Sequence, residues 1–270
     1  MQKILLGPAG TPAKDTLNGS AECSRLGLQA MEVQFSHGIK MGLDLAEKVG
    51  DEAKKYDISL SVHAPFFINL VSDDKQKLAA SKKRILDSCH LAHLMSKNNK
   101  VPVVFHTAYF GKKDKHDVHI NVISMMSEIM EYIEKKGWDG VLLAPETTGK
   151  HSAHGSLDEI LDVAKKTGCG FCVDLAHLYA RQMGKLDFRE VLEKIVKVKR
   201  KHYHFHFSGI EFSKAGERYH KVLDHSPDFR LFAKELLKSR VNATIISESP
   251  ITWKDSLKMK KILEKIGYDF

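Results

Sequence analysis

Residues 172–180 read CVDLAHLYA. With Gly170 and Phe171 before them they make an apolar run suited to a buried β-strand, and that strand stops at a carboxylate, Asp174, with His177 just beyond it. A buried carboxylate without a partner costs several kcal/mol, so a strand should not end this way unless something compensates the charge. A metal ion would do so. The question becomes whether other strands end alike.

Seven further apolar runs of strand length recur along the chain: KILLG from 3, AMEVQFS from 30, SLSVHAP from 59, VPVVFHTA from 101, GVLLAPET from 140, HYHFHFSG from 202 and ATIISES from 243. Between them lie Lys- and Glu-rich stretches such as MGLDLAEKVGDEAKKY and HINVISMMSEIMEYIEKKG, whose apolar residues stand three and four apart, the helical period. Strands that alternate with helices pair in parallel, and eight such units close a barrel with the helices outside. The pattern predicts an α/β protein, a single (β/α)8 TIM barrel over residues 1–270. A doubly wound open sheet is the structural alternative, but it needs a topological switch point and has no preference for eight units. No Pro/Ser-rich linker, low-complexity tract or strong internal repeat interrupts the series.

The chain of 270 residues has four cysteines, too few for a disulfide framework, and a reducing compartment would keep them as thiols. Cys169 and Cys172 form a C-x-x-C, but residues three apart on a strand point to opposite faces and cannot close on one metal, so a structural role is expected. The N-terminus lacks a signal-peptide pattern and no apolar run is long enough to span a bilayer; a cytoplasmic location without membrane association is expected. A net charge of +8 and a pI near 9.1 favour acidic partners such as nucleic acid, although many basic proteins only carry solvated lysines. Fifteen histidines are more informative, because imidazole is the commonest metal ligand and the usual proton carrier near neutral pH.

In a barrel of this kind, chemistry gathers at the carboxyl ends of the strands. The third strand ends at His63, the fourth at His106, the fifth at Glu146, the sixth at Asp174 with His177 one turn on, the seventh at His206 and the eighth at Glu248. One histidine at a strand end is ordinarily a hydrogen-bonded core residue, and one glutamate a solvated rim residue; six successive strands that finish on a donor are another matter. Closure would bring three carboxylates and at least three imidazoles into a small volume, where without cations the carboxylates would repel one another and some would protonate. Mixed oxygen and nitrogen donors suit zinc, with manganese or iron as less favoured occupants. Seven donors exceed the three or four protein ligands of one catalytic zinc, so two or more ions are expected. Glu146 stands between the histidine-donating third and fourth strands and the carboxylate-donating sixth and eighth, which makes it the candidate bridge. Clustered ions lower the pKa of a bound water and stabilise the attacking and leaving oxygens of a phosphoryl displacement.

These residues resemble the endonuclease IV family, zinc-dependent (β/α)8 barrels that repair abasic DNA. The stretches that carry the resemblance run over nearly the whole chain: VHAPFFINL with His63, VVFHTAYF with His106, LLAPETTG with Glu146, CVDLAHLYA with Asp174 and His177, HFHFSG with His206, GERYH with His220 and IISESP with Glu248. The resemblance implies three zinc ions, the first held by His63, His106 and Glu146, the second by Glu146, Asp174, His206 and Glu248, the third by His177 and His220. It implies a DNA repair endonuclease that cleaves the phosphodiester 5′ to an abasic site by a metal-bound hydroxide, with Glu146 and Glu248 as catalytic carboxylates. The products would be a 3′-hydroxyl and a 5′-deoxyribose phosphate, and blocked 3′ ends would be trimmed as well.

Two departures stand out. Where the family's best-known pattern places an Asp two residues before the final histidine, this chain has Arg218, which stays protonated and cannot bind a cation, so Glu217 is the expected replacement; otherwise the site works with two tightly held ions. Where family members insert a Tyr at the abasic gap, this chain has Phe66. Exposed rings at Phe66 and Phe67 would be costly unless they pack on the barrel rim or fill the gap left by a missing base. Asn69 lies on the same loop, and Lys112, Lys113, Lys115, Arg181, Lys185, Lys214, Arg218 and Lys221 on mouth-side loops are candidate phosphate contacts with double-stranded DNA. KVKRKH at 197–202 precedes the seventh strand and reads as a solvated helix end on the opposite face. The chain is expected to act as a monomer.

Two other functions fit parts of this pattern. A sugar isomerase or epimerase of the related xylose-isomerase-like barrels would use Glu146, Asp174, His206 and Glu248 around one ion, but it would have no metal to assign to His63 and His106. A non-catalytic binder of damaged DNA would be expected to have lost some of the donors.

Overall fold

All eight apolar runs form strands in the computed structural model of the protein, which describes residues 2–97 and 99–270. In chain order the elements are β1 (Ile4–Pro8), α1 (Gly19–Arg25), β2 (Ala30–Gln34), α2 (Leu43–Lys55), β3 (Ser59–His63), α3 (Lys75–Met95), β4 (Val101–Phe105), β5 (Ala108–Tyr109), α4 (Lys115–Lys135), β6 (Val141–Pro145), β7 (Ala153–His154), α5 (Leu157–Thr167), β8 (Cys172–Asp174), α6 (Leu175–Arg181), α7 (Phe188–Val196), β9 (Tyr203–Phe207), β10 (Gly209–Ser213), β11 (Gly216–Lys221), α8 (Phe229–Ser239), β12 (Ala243–Ser247) and α9 (Trp253–Lys265). Most of the helices begin where short polar side chains satisfy free backbone N–H groups: Asp74, Asp114, Asp187 and Asp228 cap α3, α4, α7 and α8, and Ser156 with Glu159 forms a capping box on α5.

The parallel strands run β2-β3-β4-β6 and β1-β12-β9-β8, and single bridges join the two arcs, Ala9 to Glu32 on one seam and Glu146 to Cys172 on the other. The sheet is thereby the expected closed (β/α)8 barrel. Closure at the first seam needs Gly7, because a Cβ there would stand 2.0 Å from the Ala30 carbonyl oxygen. Apolar side chains between the strands and the surrounding helices form the main core, among them Phe105, Phe205, Phe207 and Phe232, all fully buried. Inside the barrel, Val104, Ala144 and Cys172 pack together just beneath the mouth.

Two antiparallel ribbons stand on the carboxyl end of the barrel beyond the strands read from the sequence. β5 pairs with β7, and β10 pairs with β11. Both belong to the βα loops that surround the mouth.

Candidate metal centre

Parallel register sets the donors side by side: Asp174 lies opposite His206 across β8 and β9, and His63 closes β3 opposite Gln34. His106, Glu146 and Glu248 each follow the last residue of a strand by one. Glu146 is fully buried, and its two oxygens face different partners. Oε2 lies 3.3 Å from His63 Nε2 and 3.0 Å from His106 Nε2, while Oε1 lies 3.0 Å from His206 Nδ1. One carboxylate therefore spans two sets of imidazoles, the geometry a bridging ligand requires.

Asp174 ends its strand because it also begins a helix. Its Oδ1 accepts the His177 N–H at 2.6 Å as the N-cap of α6, which leaves Oδ2 buried without a hydrogen-bond partner. Thr147, a residue that sequence reasoning passes over, holds this corner together. Its Oγ1 accepts the Asp174 N–H at 2.8 Å, and its carbonyl accepts from His177 Nδ1 at 3.0 Å. His177 Nε2 is then turned towards Glu217, whose Oε2 is 3.3 Å away.

Glu217 and His220 arrive on β11. The turn between β10 and β11 depends on Gly216, which has φ +105° and lies so close to Gly149 that a Cβ would stand 2.1 Å from the Gly149 carbonyl oxygen. Glu217 Oε2 accepts the Gly149 N–H at 2.8 Å, and His220 Nε2 lies 3.5 Å from Glu248 Oε2. Arg218, two residues before His220, is exposed at the cleft mouth.

The donors fall into three overlapping groups whose ligand atoms lie within 4.8 Å of one another: His63, His106 and Glu146; Glu146, Asp174, His206 and Glu248; and Asp174, His177, His220 and Glu248. Glu146 belongs to the first two groups, and Asp174 and Glu248 to the last two. Burial pushes the Asp174 carboxyl up to about 8, and the Glu248 and Glu146 carboxylates add to the effect. Burial opposes protonation of His63 and His177, but the neighbouring carboxylates prevail and lift them to about 9 and about 10. Without cations the carboxylates are thus balanced by protons held on His63, His177 and Asp174. Divalent ions would displace those protons, and the orphaned Asp174 Oδ2 is a donor atom with nothing else to do. The residues fit a centre of more than one ion.

A cleft of about 560 Å³ opens over the donors, and His63, Phe66, His106, His177, His220 and Glu248 contribute to its wall. A second cavity of about 570 Å³ lies at the other end of the barrel, bordered by Lys3, Ser59, Lys100 and Lys201; it reaches His204 but no member of the three groups. At the cleft rim Phe66 and Phe67 are 45% and 74% exposed, so neither folds back under the loop. The basic residues expected there divide. Lys112 and Arg218 are exposed. Arg181 differs: its Nη1 donates to the carbonyls of Thr148, Lys150 and Ala153 and clamps the β6–β7 loop from within. Lys113 donates to the Val71 carbonyl and pairs with Asp73 at 2.6 Å, and Asn69 Oδ1 accepts the Val71 N–H at 3.2 Å. These two shape the loop that carries Phe66. All four cysteines are free and buried; Cys169 stays apart, but Cys172 lies against His204 and His206, a grouping that the C-x-x-C spacing does not announce.

The sequence pattern of the xylose isomerase-like TIM barrels matches residues 20–265. The chain belongs to that family. It is 32% identical over 274 residues to an uncharacterized protein of Methanocaldococcus jannaschii, a match that covers 97% of this chain and 98% of the relative. Among solved structures, the barrel is similar to a D-tagatose 3-epimerase-like protein, with a TM-score of 0.71 at 17% identity over 98% of this chain and 96% of that one. It is similar also to endonuclease IV from Thermus thermophilus, with a TM-score of 0.69 at 15% identity over 98% of each chain. At such identities these likenesses establish the fold, and members of the family include nucleases as well as isomerases and epimerases. Among the described residues no helix is long and apolar enough to cross a membrane.

Proposed function

We propose that the protein is a metal-dependent phosphodiesterase that cleaves DNA on the 5′ side of abasic sites, leaving a 3′-hydroxyl and a 5′-deoxyribose phosphate. The observation that carries this reading is the presence of three overlapping donor groups at one barrel mouth. A sugar isomerase or epimerase working through one ion needs Glu146, Asp174, His206 and Glu248 alone, which leaves His63, His106, His177 and His220 without a task. Bound there, divalent ions would supply an activated water and would neutralise charge on the phosphodiester.

The remaining work belongs to the chain's own side chains. Glu146 and Glu248 span adjacent donor groups and keep their carboxylates charged, because His106 and His206 beside Glu146, and His206 and His220 beside Glu248, outweigh their burial. Glu217 is the third donor beside His177 and His220 in this reading. Phe66, exposed at the cleft and 5.7 Å from the His63 ring, would fill the space of the missing base, and Lys112 and Arg218 would meet phosphates.

The test is incubation of zinc-replete protein with a duplex that bears one abasic site, followed by analysis of the new ends. A nick 5′ to the lesion with a 3′-hydroxyl, abolished by a strong zinc chelator, is the expected result. A nick only 3′ to the lesion with an unsaturated aldehyde would sink the reading, as would inert DNA combined with epimerisation of a ketohexose.

A further inference from the structure

Four of the donor histidines have a ring nitrogen already engaged by a partner outside the three donor groups. His63 Nδ1 lies 2.8 Å from the Ala64 carbonyl oxygen, His177 Nδ1 3.0 Å from that of Thr147, and His220 Nδ1 2.7 Å from Ser208 Oγ. The Ser208 hydroxyl proton is spent on the Gly209 carbonyl at 2.8 Å, so His220 must be the donor. These three partners are neutral, and each leaves Nε2 turned to the centre. His206 is reversed. Its Nδ1 faces Glu146 at 3.0 Å and Glu248 at 3.4 Å, and its Nε2 meets not a neutral acceptor but a second buried carboxylate, Glu32 Oε2, at 3.1 Å.

Glu32 sits on β2, one layer below the mouth, with no exposed surface and outside the three donor groups. Its charge is held in place from all sides: Ser61 Oγ donates to Oε2 at 2.8 Å, His204 Nε2 lies 3.2 Å from the same oxygen, and Gln34 Nε2 donates to Oε1 at 2.9 Å. A carboxylate offers only lone pairs, so the nitrogen that faces it must carry a proton. An unprotonated Nε2 would set two acceptors against each other at 3.1 Å in a site without water's dielectric.

We infer that Glu32 is the positioning residue of the metal centre: it accepts a hydrogen bond from the Nε2–H of His206 and so commits Nδ1, as a lone pair between Glu146 and Glu248, to an ion that those carboxylates would share. A carboxylate behind the ring also makes the imidazole a stronger donor than a carbonyl would, and holds its plane fixed. His206 is the donor that needs this most, because it is fully buried and belongs to the middle group, which shares carboxylates with both of the others. The inference rests on the metal centre and not on the nature of the substrate.

The test needs no DNA. Zinc-loaded wild type with 15N-labelled histidine is expected to show His206 with a protonated Nε2 and a metal-bound Nδ1 in long-range 15N–1H spectra. Glu32→Gln keeps the shape but places an amide that can donate where only an acceptor fits. By competition against a chromophoric chelator it should bind one ion about 10- to 100-fold more weakly, with the others unchanged. Wild-type affinity in Glu32→Gln, or a His206 protonated on Nδ1 in the loaded wild type, overturns the inference and leaves the phosphodiesterase reading standing. Should Glu32→Gln fail to fold, the wild-type spectrum decides alone. A wild type that binds no divalent ion at all overturns the inference and the metal centre together.

Discussion

Asp174 shows how one residue can serve fold and site at once. One oxygen caps the helix that delivers His177, and the other is left free inside the donor cluster. Glu146 divides its oxygens in the same way, one towards His63 and His106 and one towards His206. Replacing Glu146 with Gln preserves its shape but removes the charge that the two proposed ion sites would share. Turnover on abasic duplex is expected to fall by several orders of magnitude while duplex binding falls little, measured as kcat and Kd on the same substrate. Near wild-type turnover would refute the bridging role.

At the scale of elements, the β10–β11 ribbon carries His220 and Glu217 to the centre, and Gly216 sets its approach. Gly216→Ala would place a side chain at φ +105° and drive a Cβ against the Gly149 carbonyl. A loss of roughly 1–3 kcal/mol in denaturant unfolding is expected, together with fewer ions per chain after dialysis. Glu217→Ala removes only the acceptor of the Gly149 N–H and should lose the ion proposed beside His177 and His220 with a smaller loss of stability than Gly216→Ala; equal metal content in this variant and wild type would show that Glu217 is not a ligand. The β5–β7 ribbon serves stability instead. His154 is buried there between Thr107 Oγ1 at 2.7 Å and His119 Nδ1 at 2.9 Å, with Glu159 and Arg181 as its charged neighbours. Burial lowers its pKa to about 4 from an ordinary 6.5. The unfolded chain therefore binds the extra proton first, and the contribution, complete above pH 6.5, is lost as pH falls through about 4. Unfolding measured across this window should show wild type losing on the order of 3 kcal/mol more than His154→Gln, and parallel curves would contradict it.

The whole molecule carries an excess of eight positive charges, and part of that excess lies at the rim of the cleft. Binding to abasic duplex should weaken steeply with salt, with a log–log slope near about −0.9 for each phosphate contacted. Because Arg181 and Lys113 are engaged within the protein, the slope should report few contacts, and Arg218→Ala should reduce it by about one. A flat salt response would favour a small neutral substrate such as a sugar.

The alternation of apolar runs with helical stretches, and the donors at the ends of six runs, are properties of short segments. Strand and helix periodicity is local physics, so the barrel, and the candidate donors from His63 to Glu248 at its strand ends, could be read from the sequence. The donors proposed for a third ion were legible only in part, since Gly216 marks a turn but not what the turn approaches. Glu32 lies in mid-strand, where nothing in AMEVQ distinguishes it from a solvated residue, and it matters only because closure sets it against His206, far along the chain. Arg181 reads as a free cation until the β6–β7 loop folds its carbonyls around it, and Thr147 as a loop residue until it holds Asp174 and His177. Which side chains share a small buried volume depends on how distant segments close on one another, and only the tertiary structure decides that.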